Sequence, residues 1–182
     1  MPNAILDPTG AARRGGKPAA PRAARRPTLA GARVGLLINT KQNARPFLEH
    51  LGRLLICDHG AASVTQRTKL NFAVPEPAEI IVQMAAEVDV VVTGVGDCGS
   101  CSAAAAADGV VFEAAGVPAA VIVTDSFRAT ATAMAELRGA PGYRYATTAH
   151  PVAVLTEDQV KERAAAVIGD VIALLTEPEP GA

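Results

Sequence analysis

The chain has no tryptophan, and only two tyrosines and four phenylalanines among its 182 residues. Aromatics amount to 3% while apolar residues reach 49%, so the core must be built from small and branched aliphatic side chains. Such a core suits a parallel sheet covered by helices on both faces. The stacking platforms on which single-stranded nucleic-acid binders depend have almost no material here. No apolar stretch reaches the roughly 18 residues that a helical membrane span takes. Cysteine is scarce as well. Three are present, and two of them are three residues apart, which argues against a disulfide framework and for a cytoplasmic thiol or metal role. A dominant charge is also lacking: the net value is −1, so the molecule as a whole has no bulk attraction to nucleic acid or membrane.

What charge there is lies unevenly. Residues 1–31 hold six of the 17 basic residues and one of the 18 acidic ones, leaving the remainder at −6. This segment, with "RRGGKPAAPRAARRP", is rich in Pro, Ala, Gly and Arg and cannot bury enough apolar surface to offset its ordering entropy. It reads as an N-terminal arm, either free or lying across a neighbouring subunit. It has no apolar h-region of the secretory kind. Its arginines match a transit peptide, but "ILDPTG" is neither basic nor amphipathic.

From residue 32 to 182 strands and helices alternate in one domain. Apolar runs predict strands at 32–39, 88–94 and 118–125, with weaker ones at 62–68 and 143–150. Helical spacing predicts helices at 43–56, 76–87, 102–116, 127–139 and 157–175, with Asn43 as an N-cap and Gly116 as the left-handed residue after a C-cap. The pattern predicts an α/β fold of three layers: a mostly parallel five-stranded sheet, in the flavodoxin or Rossmann-like order 2-1-3-4-5, between helices. That order puts a crevice beyond the ends of the first and third strands. There the two most polar loops meet, "NTKQN" and "TGVGDCGSCS".

The second loop admits three readings. Gly94-Val95-Gly96-Asp97-Cys98-Gly99 fits the glycine spacing of a dinucleotide fingerprint between strand and helix, but on the third strand and with a carboxylate where a pyrophosphate would lie. Cys98 and Cys101 could share a metal with His150, His59 or Asp97, yet a single C-x-x-C does not define a closed site. The third reading is a pair of working thiols. A cysteine at a helix start faces unpaired N–H groups and the positive end of the dipole, which favours thiolate. A second cysteine one turn on is placed to resolve an adduct on the first.

The stretch "VTGVGDCGSCSA", preceded by "NTKQNA" and followed by "VPAAVIVTDSF" and "AHPV", resembles the UGSC family of thiol and selenol proteins. The likeness covers most of the chain, including "ILDPTG" and "APR" in the leader. The family motif is selenocysteine-Gly-Ser-Cys, or cysteine in its first place. The resemblance therefore puts Cys98 at the selenocysteine position and implies a redox or nucleophilic thiol. Lys41 and Asn43 match the family's first loop; Thr40 and Gln42 replace its usual Gly and Pro, and Ser102 begins a plain alanine run where the family has Thr and an aromatic.

Together these observations predict an enzyme in which Cys98 attacks a small-molecule electrophile and Cys101 resolves the adduct, while Asp97 or His150 moves protons. Lys41, Asn43, Gly96, Gly99, Ser100 and Ser126 are the candidate substrate contacts. The chemistry is disulfide or peroxide reduction, or cleavage of a carbon–heteroatom bond. It calls for no cofactor and no metal, but for an external thiol or thioredoxin-like reductant. A homo-oligomer or a heteromeric partner is expected, with no nucleic acid and no membrane. The alternative is a non-catalytic or metal-binding subunit of a larger reductase.

Overall fold

Val34, Leu36 and Ile38 alternate with Leu37 along one extended segment, and all four are fully buried. The even-numbered three pack with one set of helices and Leu37 with the other, so this strand is covered on both sides. The computed structural model describes residues 19–178. It contains β1 (Arg33–Ile38), α1 (Ala44–Cys57), β2 (Ser63–Thr68), α2 (Ala78–Ala85), β3 (Val90–Gly96), α3 (Gly99–Ala114), β4 (Ala119–Thr124), α4 (Arg128–Leu137), β5 (Ala146–Thr148) and α5 (Glu157–Thr176). A single 3-10 turn, Asp125–Phe127, joins β4 to α4.

All strand pairs are parallel and the sheet runs β2-β1-β3-β4-β5. One face carries α1 and α5, which pack on β1, β3 and β4 through Phe47, Leu51, Val160 and Val171. The other carries α2, α3 and α4. Each fully buried Leu or Ile contributes about 1.5–3 kcal/mol, so aliphatic bulk replaces the missing aromatics. Small α3 residues, among them Ser102, Ala105, Ala106 and Gly109, let the helix sit close to the sheet. A Cβ on Gly96 would lie 2.8 Å from Ser102 Cα and 2.8 Å from Val123 Cγ1, so the end of β3 accepts only glycine at this contact.

Three sequence expectations are revised in detail. The third strand runs two residues further than predicted, through Gly96, so Gly94 and Gly96 are buried strand residues and not a loop that cradles phosphate. The helix after it begins at Gly99, not 102, so both cysteines belong to its start. Asn43 holds the N-cap position of α1, but in a left-handed conformation (φ 66°) and without a side-chain cap bond. Gly116 adopts a φ of 83° just past α3, the predicted conformation.

The leader differs more. Residues 1–18, including "ILDPTG", lie outside the described residues, but 19–31 lie against this chain's own domain. Ala20 N–H donates to Gly139 O (2.7 Å) and Arg26 N–H to Leu175 O (3.3 Å), and Leu29 joins the main core. The fully buried carboxylate of Glu113, near the end of α3, accepts from Ala23 N–H (2.8 Å), Arg25 Nη1 (2.8 Å) and Ala119 N–H (3.0 Å). Ala119 begins β4, so this part of the arm crosses the end of the sheet away from the thiol loop. Composition gave no sign of the buried acid that, with Leu29 and Ala23, holds this part of the arm. Replacing Arg25 by Met should therefore cost about 3–5 kcal/mol in urea unfolding, since it leaves the Glu113 charge buried without its cation. A loss below about 1 kcal/mol would show that the arm is not held this way.

Candidate functional site

Strand β3 ends at Gly96, and two residues later α3 begins. Cys98 is the N-cap of that helix, with extended backbone (φ −158°, ψ 171°). Its sulfur occupies the place that Ser, Thr or Asp takes in an ordinary cap, and accepts from Cys101 N–H at 3.3 Å. Ser100 Oγ lies 3.6 Å from the same sulfur. Around Gly99 there is open space, with no atom within 4 Å of where a Cβ would stand. Cys98 is half-buried and reachable.

Cys101 is different in every respect. It is fully buried. Asp97 N–H donates to its sulfur at 3.1 Å, and its thiol donates to Cys98 O at 3.3 Å. Burial pushes its pKa up to about 12, helped by the hydrogen bond to the Cys98 sulfur and that sulfur's charge. At Cys98 burial also opposes ionisation. Contacts with the Cys101 side chain and N–H and with Ser100, together with the Lys41 charge, outweigh it and hold the pKa below the ordinary value. Cys98 thus ionises more readily than Cys101.

Asp97 joins this pair to the far side of the crevice. Its carboxylate is buried; Oδ1 lies 2.9 Å from His150 Nδ1, and Oδ2 accepts from Val152 N–H (3.0 Å) and Ala153 N–H (2.8 Å). Thr124 Oγ1 donates to Gly96 O and lies 3.2 Å from His150 Nδ1. With the hydroxyl proton committed to Gly96, both Asp97 and Thr124 accept from Nδ1, which assigns a ring proton to that nitrogen and leaves Nε2 without a bond to this chain. His150 N–H donates to Asp125 Oδ1 (3.1 Å), and the ring meets Phe127 edge-on, with centroids 5.3 Å apart. This arrangement divides the two proton-transfer candidates: Asp97 has its oxygens filled and orients the ring, while His150 keeps a free nitrogen.

Lys41 follows β1, the strand beside β3. Asn39, 4% exposed, ties the two loops: Nδ2 donates to Val95 O (2.9 Å) and Oδ1 accepts from Lys41 N–H (3.0 Å). The Lys41 ammonium sits 5.4 Å from the ring centroid of Phe72. Asn43 stands elsewhere in function: its Nδ2 donates to Val152 O (2.9 Å), Leu155 O (2.9 Å) and Ala153 O (3.3 Å), clamping the loop that Asp97 holds from the other side. Gly96 lies under Ser102 in the sheet, and Ser126 is exposed on the 3-10 turn, bonded to Asp125 Oδ1 at 3.4 Å. The structure therefore gathers Cys98, Cys101, Asp97, His150, Ser100 and Lys41, while Asn43 and Gly96 hold backbone in place.

Asn39 and Thr124 were missed by the sequence reading. Their signal was present, since each is the polar residue that closes a buried apolar strand. The ion pair of Lys69 and Asp108, both buried, had no such signal. Burial raises the Asp108 pKa against the pull of Lys69, and its Oδ1 also accepts from Glu76 N–H (2.7 Å). No group of three or more His, Cys, Asp or Glu among the described residues is arranged to hold a metal. Nor does any helix among them reach the length and apolarity needed to cross a membrane.

The division between the thiols has a direct readout. Alkylation by iodoacetamide, followed peptide by peptide against pH, should show Cys98 reacting first, with Cys101 modified only in molecules whose Cys98 is already blocked. Lys41→Met should move the Cys98 inflection upward, because it removes a charge that favours thiolate. An unchanged inflection would mean that the ammonium does not act on the sulfur.

Comparison with known proteins agrees with the motif. No curated protein matches the chain. Among solved structures, a crystal structure described as an ABC transporter permease from the Pseudomonas fluorescens group matches at 17% identity, over 78% of this chain and 32% of that one. Its TM-score is 0.40, a likeness too low to bear on fold or function. The family model for the UGSC family matches residues 4–177, almost the whole length. With its close Cys98–Cys101 pair in the motif position, the chain belongs to the UGSC family.

Proposed function

We propose that the protein is a thiol enzyme in which Cys98 attacks a small-molecule electrophile and Cys101 resolves the adduct. The observation that carries this reading is the asymmetry of the two sulfurs: one half-exposed with its pKa lowered, the other buried and pushed to about 12. A nucleophile must be ionised and reachable, and a resolving thiol must stay out of the first step.

With a disulfide substrate the Cys98 thiolate attacks one sulfur, the substrate S–S bond breaks and one thiolate leaves. Cys101 then loses its proton and attacks Cys98 Sγ, expelling the second thiolate. The substrate gains two electrons and the protein becomes the Cys98–Cys101 disulfide, which an external dithiol of thioredoxin type reduces. With a carbon–heteroatom substrate the thiolate displaces the heteroatom and forms a thioether. Attack by Cys101 on that sulfur forms the same disulfide, and the released carbon takes a proton, provided a neighbouring carbonyl or double bond stabilises its charge.

The high pKa of Cys101 does not block the second step. After burial, its largest causes are the hydrogen bond to Cys98 and the charge of Cys98. Once Cys98 is bonded to substrate that charge is gone, and the resolving thiol becomes easier to ionise. His150, with Nε2 free, is the group to move the proton, and Asp97 holds its ring. Lys41 is placed to receive an anionic group.

Cys101→Ser should fold and still react at Cys98, but keep the first adduct, because no second thiol is left to displace it. Mass spectrometry of the peptide holding residue 98, after exposure to a small disulfide and removal of excess, should show the added half-disulfide persisting in the variant and absent from the wild type. Loss of the adduct at the wild-type rate would remove Cys101 from the resolving role.

A further inference from the structure

In a chain so poor in aromatics, the position of each phenylalanine carries information. Phe47 and Phe112 are fully buried core residues. The other two are not in the core. Phe72 is 36% exposed on the segment that follows β2, with the Lys41 ammonium over its ring. Phe127 is partly exposed on the turn that follows β4, edge-on to His150. In the strand order these two elements lie on opposite sides of β3, whose end leads to Cys98. The two phenylalanines outside the core thus bracket the start of α3, each in contact with one candidate working side chain.

The Phe72 segment is also built to stay where it is. Lys69 at its start is ion-paired with Asp108 of α3, and Glu76 N–H at its end donates to the same carboxylate at 2.7 Å. Lys69 N–H is further bonded to Ile38 O at 2.8 Å. A buried ion pair is an expensive way to fix a surface loop. Yet the loop so fixed shows Leu70 at 99% exposure and Val74 at 51%. These solvent-facing apolar groups share a pinned loop with Phe72, the ring under the Lys41 ammonium.

Resting on the thiol-enzyme reading above, we propose that Phe72 and Phe127 are specificity-determining residues that select electrophiles whose reactive atom is carried on a flat unsaturated or aromatic group. The flat group lies between the two rings, where stacked or edge-on contacts are available. An anionic substituent meets Lys41, which follows β1 and so stands between Phe72 and the thiol loop. Cys98 then meets the reactive atom over the open space at Gly99.

The test uses the reduced full-length chain and two methanethiosulfonates, methyl and benzyl. In each case the thiolate attacks the sulfenyl sulfur, a mixed disulfide forms and methanesulfinate leaves, so only the transferred group differs. Cys57 is exposed on the last residue of α1, away from these rings, and serves as an internal reference. Peptide-resolved rates should give a benzyl-to-methyl ratio at Cys98 about tenfold above that at Cys57. Phe72→Ala and Phe127→Ala should each bring the Cys98 ratio towards that of Cys57, and Phe72→Tyr should retain it. A wild-type Cys98 ratio equal to that of Cys57, or one unmoved by both alanine variants, overturns the bracket and leaves the thiolate standing. A Cys98 slower than Cys57 with the methyl reagent at neutral pH overturns the thiolate reading, and this inference with it.

Discussion

Everything at the crevice hangs on one buried carboxylate. Asp97 stands between the end of β3 and the first cysteine, and its oxygens reach across to His150, Val152 and Ala153, while its own N–H rests on the Cys101 sulfur. Three structural units are joined by this side chain: the sheet, the thiol helix and the segment that leads into α5. Asn43 grips that segment from the other side through three carbonyls. A loop made of "HPVAVL" would otherwise have its backbone donors and acceptors turned to water. Its capture by Asp97 and Asn43 brings a histidine to the sulfur end of the sheet, although 52 positions of chain separate it from Cys98.

The helix that carries the thiols is fixed along its whole length by groups that have no part in chemistry. Gly96 lets its first turn touch the sheet, Asp108 ties its middle to the Phe72 segment, and Glu113 binds the arm near its end. Two of these three are fully buried acids met by cations, an arrangement that adds little net stability but specifies position, because the carboxylate accepts hydrogen bonds only from one geometry. A cysteine whose ionisation depends on hydrogen bonds of 3.3 Å and on a cation one loop away needs such a fixed support.

Much of this was readable before any coordinates. Alternating apolar runs and helical stripes marked every strand and α-helix, and the parallel sheet followed from their alternation, with 2-1-3-4-5 the default order for such a fold. The cysteines stood out because a Gly-rich polar loop is the wrong place for core thiols. What resisted reading were polar residues whose partners are distant in sequence. Lys69 sits in "TKLNFAVPEP" like any solvated lysine, and Asp108 and Glu113 look like breaks in an alanine-rich helix surface. Burial of a charge is a property of the pair, and neither partner announces the other. Asn43 shows the same limit: its residue type fits a helix cap or a ligand contact, and its amide instead holds backbone 109 to 112 residues away. The arm was legible from composition, but its docking was not, because it rests on an acid of α3 and on the apolar side chain of Leu29.

The difference in enclosure between the two sulfurs also governs which of them tolerates a change of element. Cys101 has no exposed surface, and donors and acceptors close in on it from Asp97 and Cys98. A larger chalcogen there would press on the Asp97 amide and the Cys98 carbonyl that already touch the sulfur. Cys98 faces the open volume beside Gly99, and its sulfur is held by N–H and hydroxyl groups that could draw back a fraction of an ångström. The open side of Cys98 gives the first position of the motif the room for a larger atom, which suits the place where the family motif carries selenium.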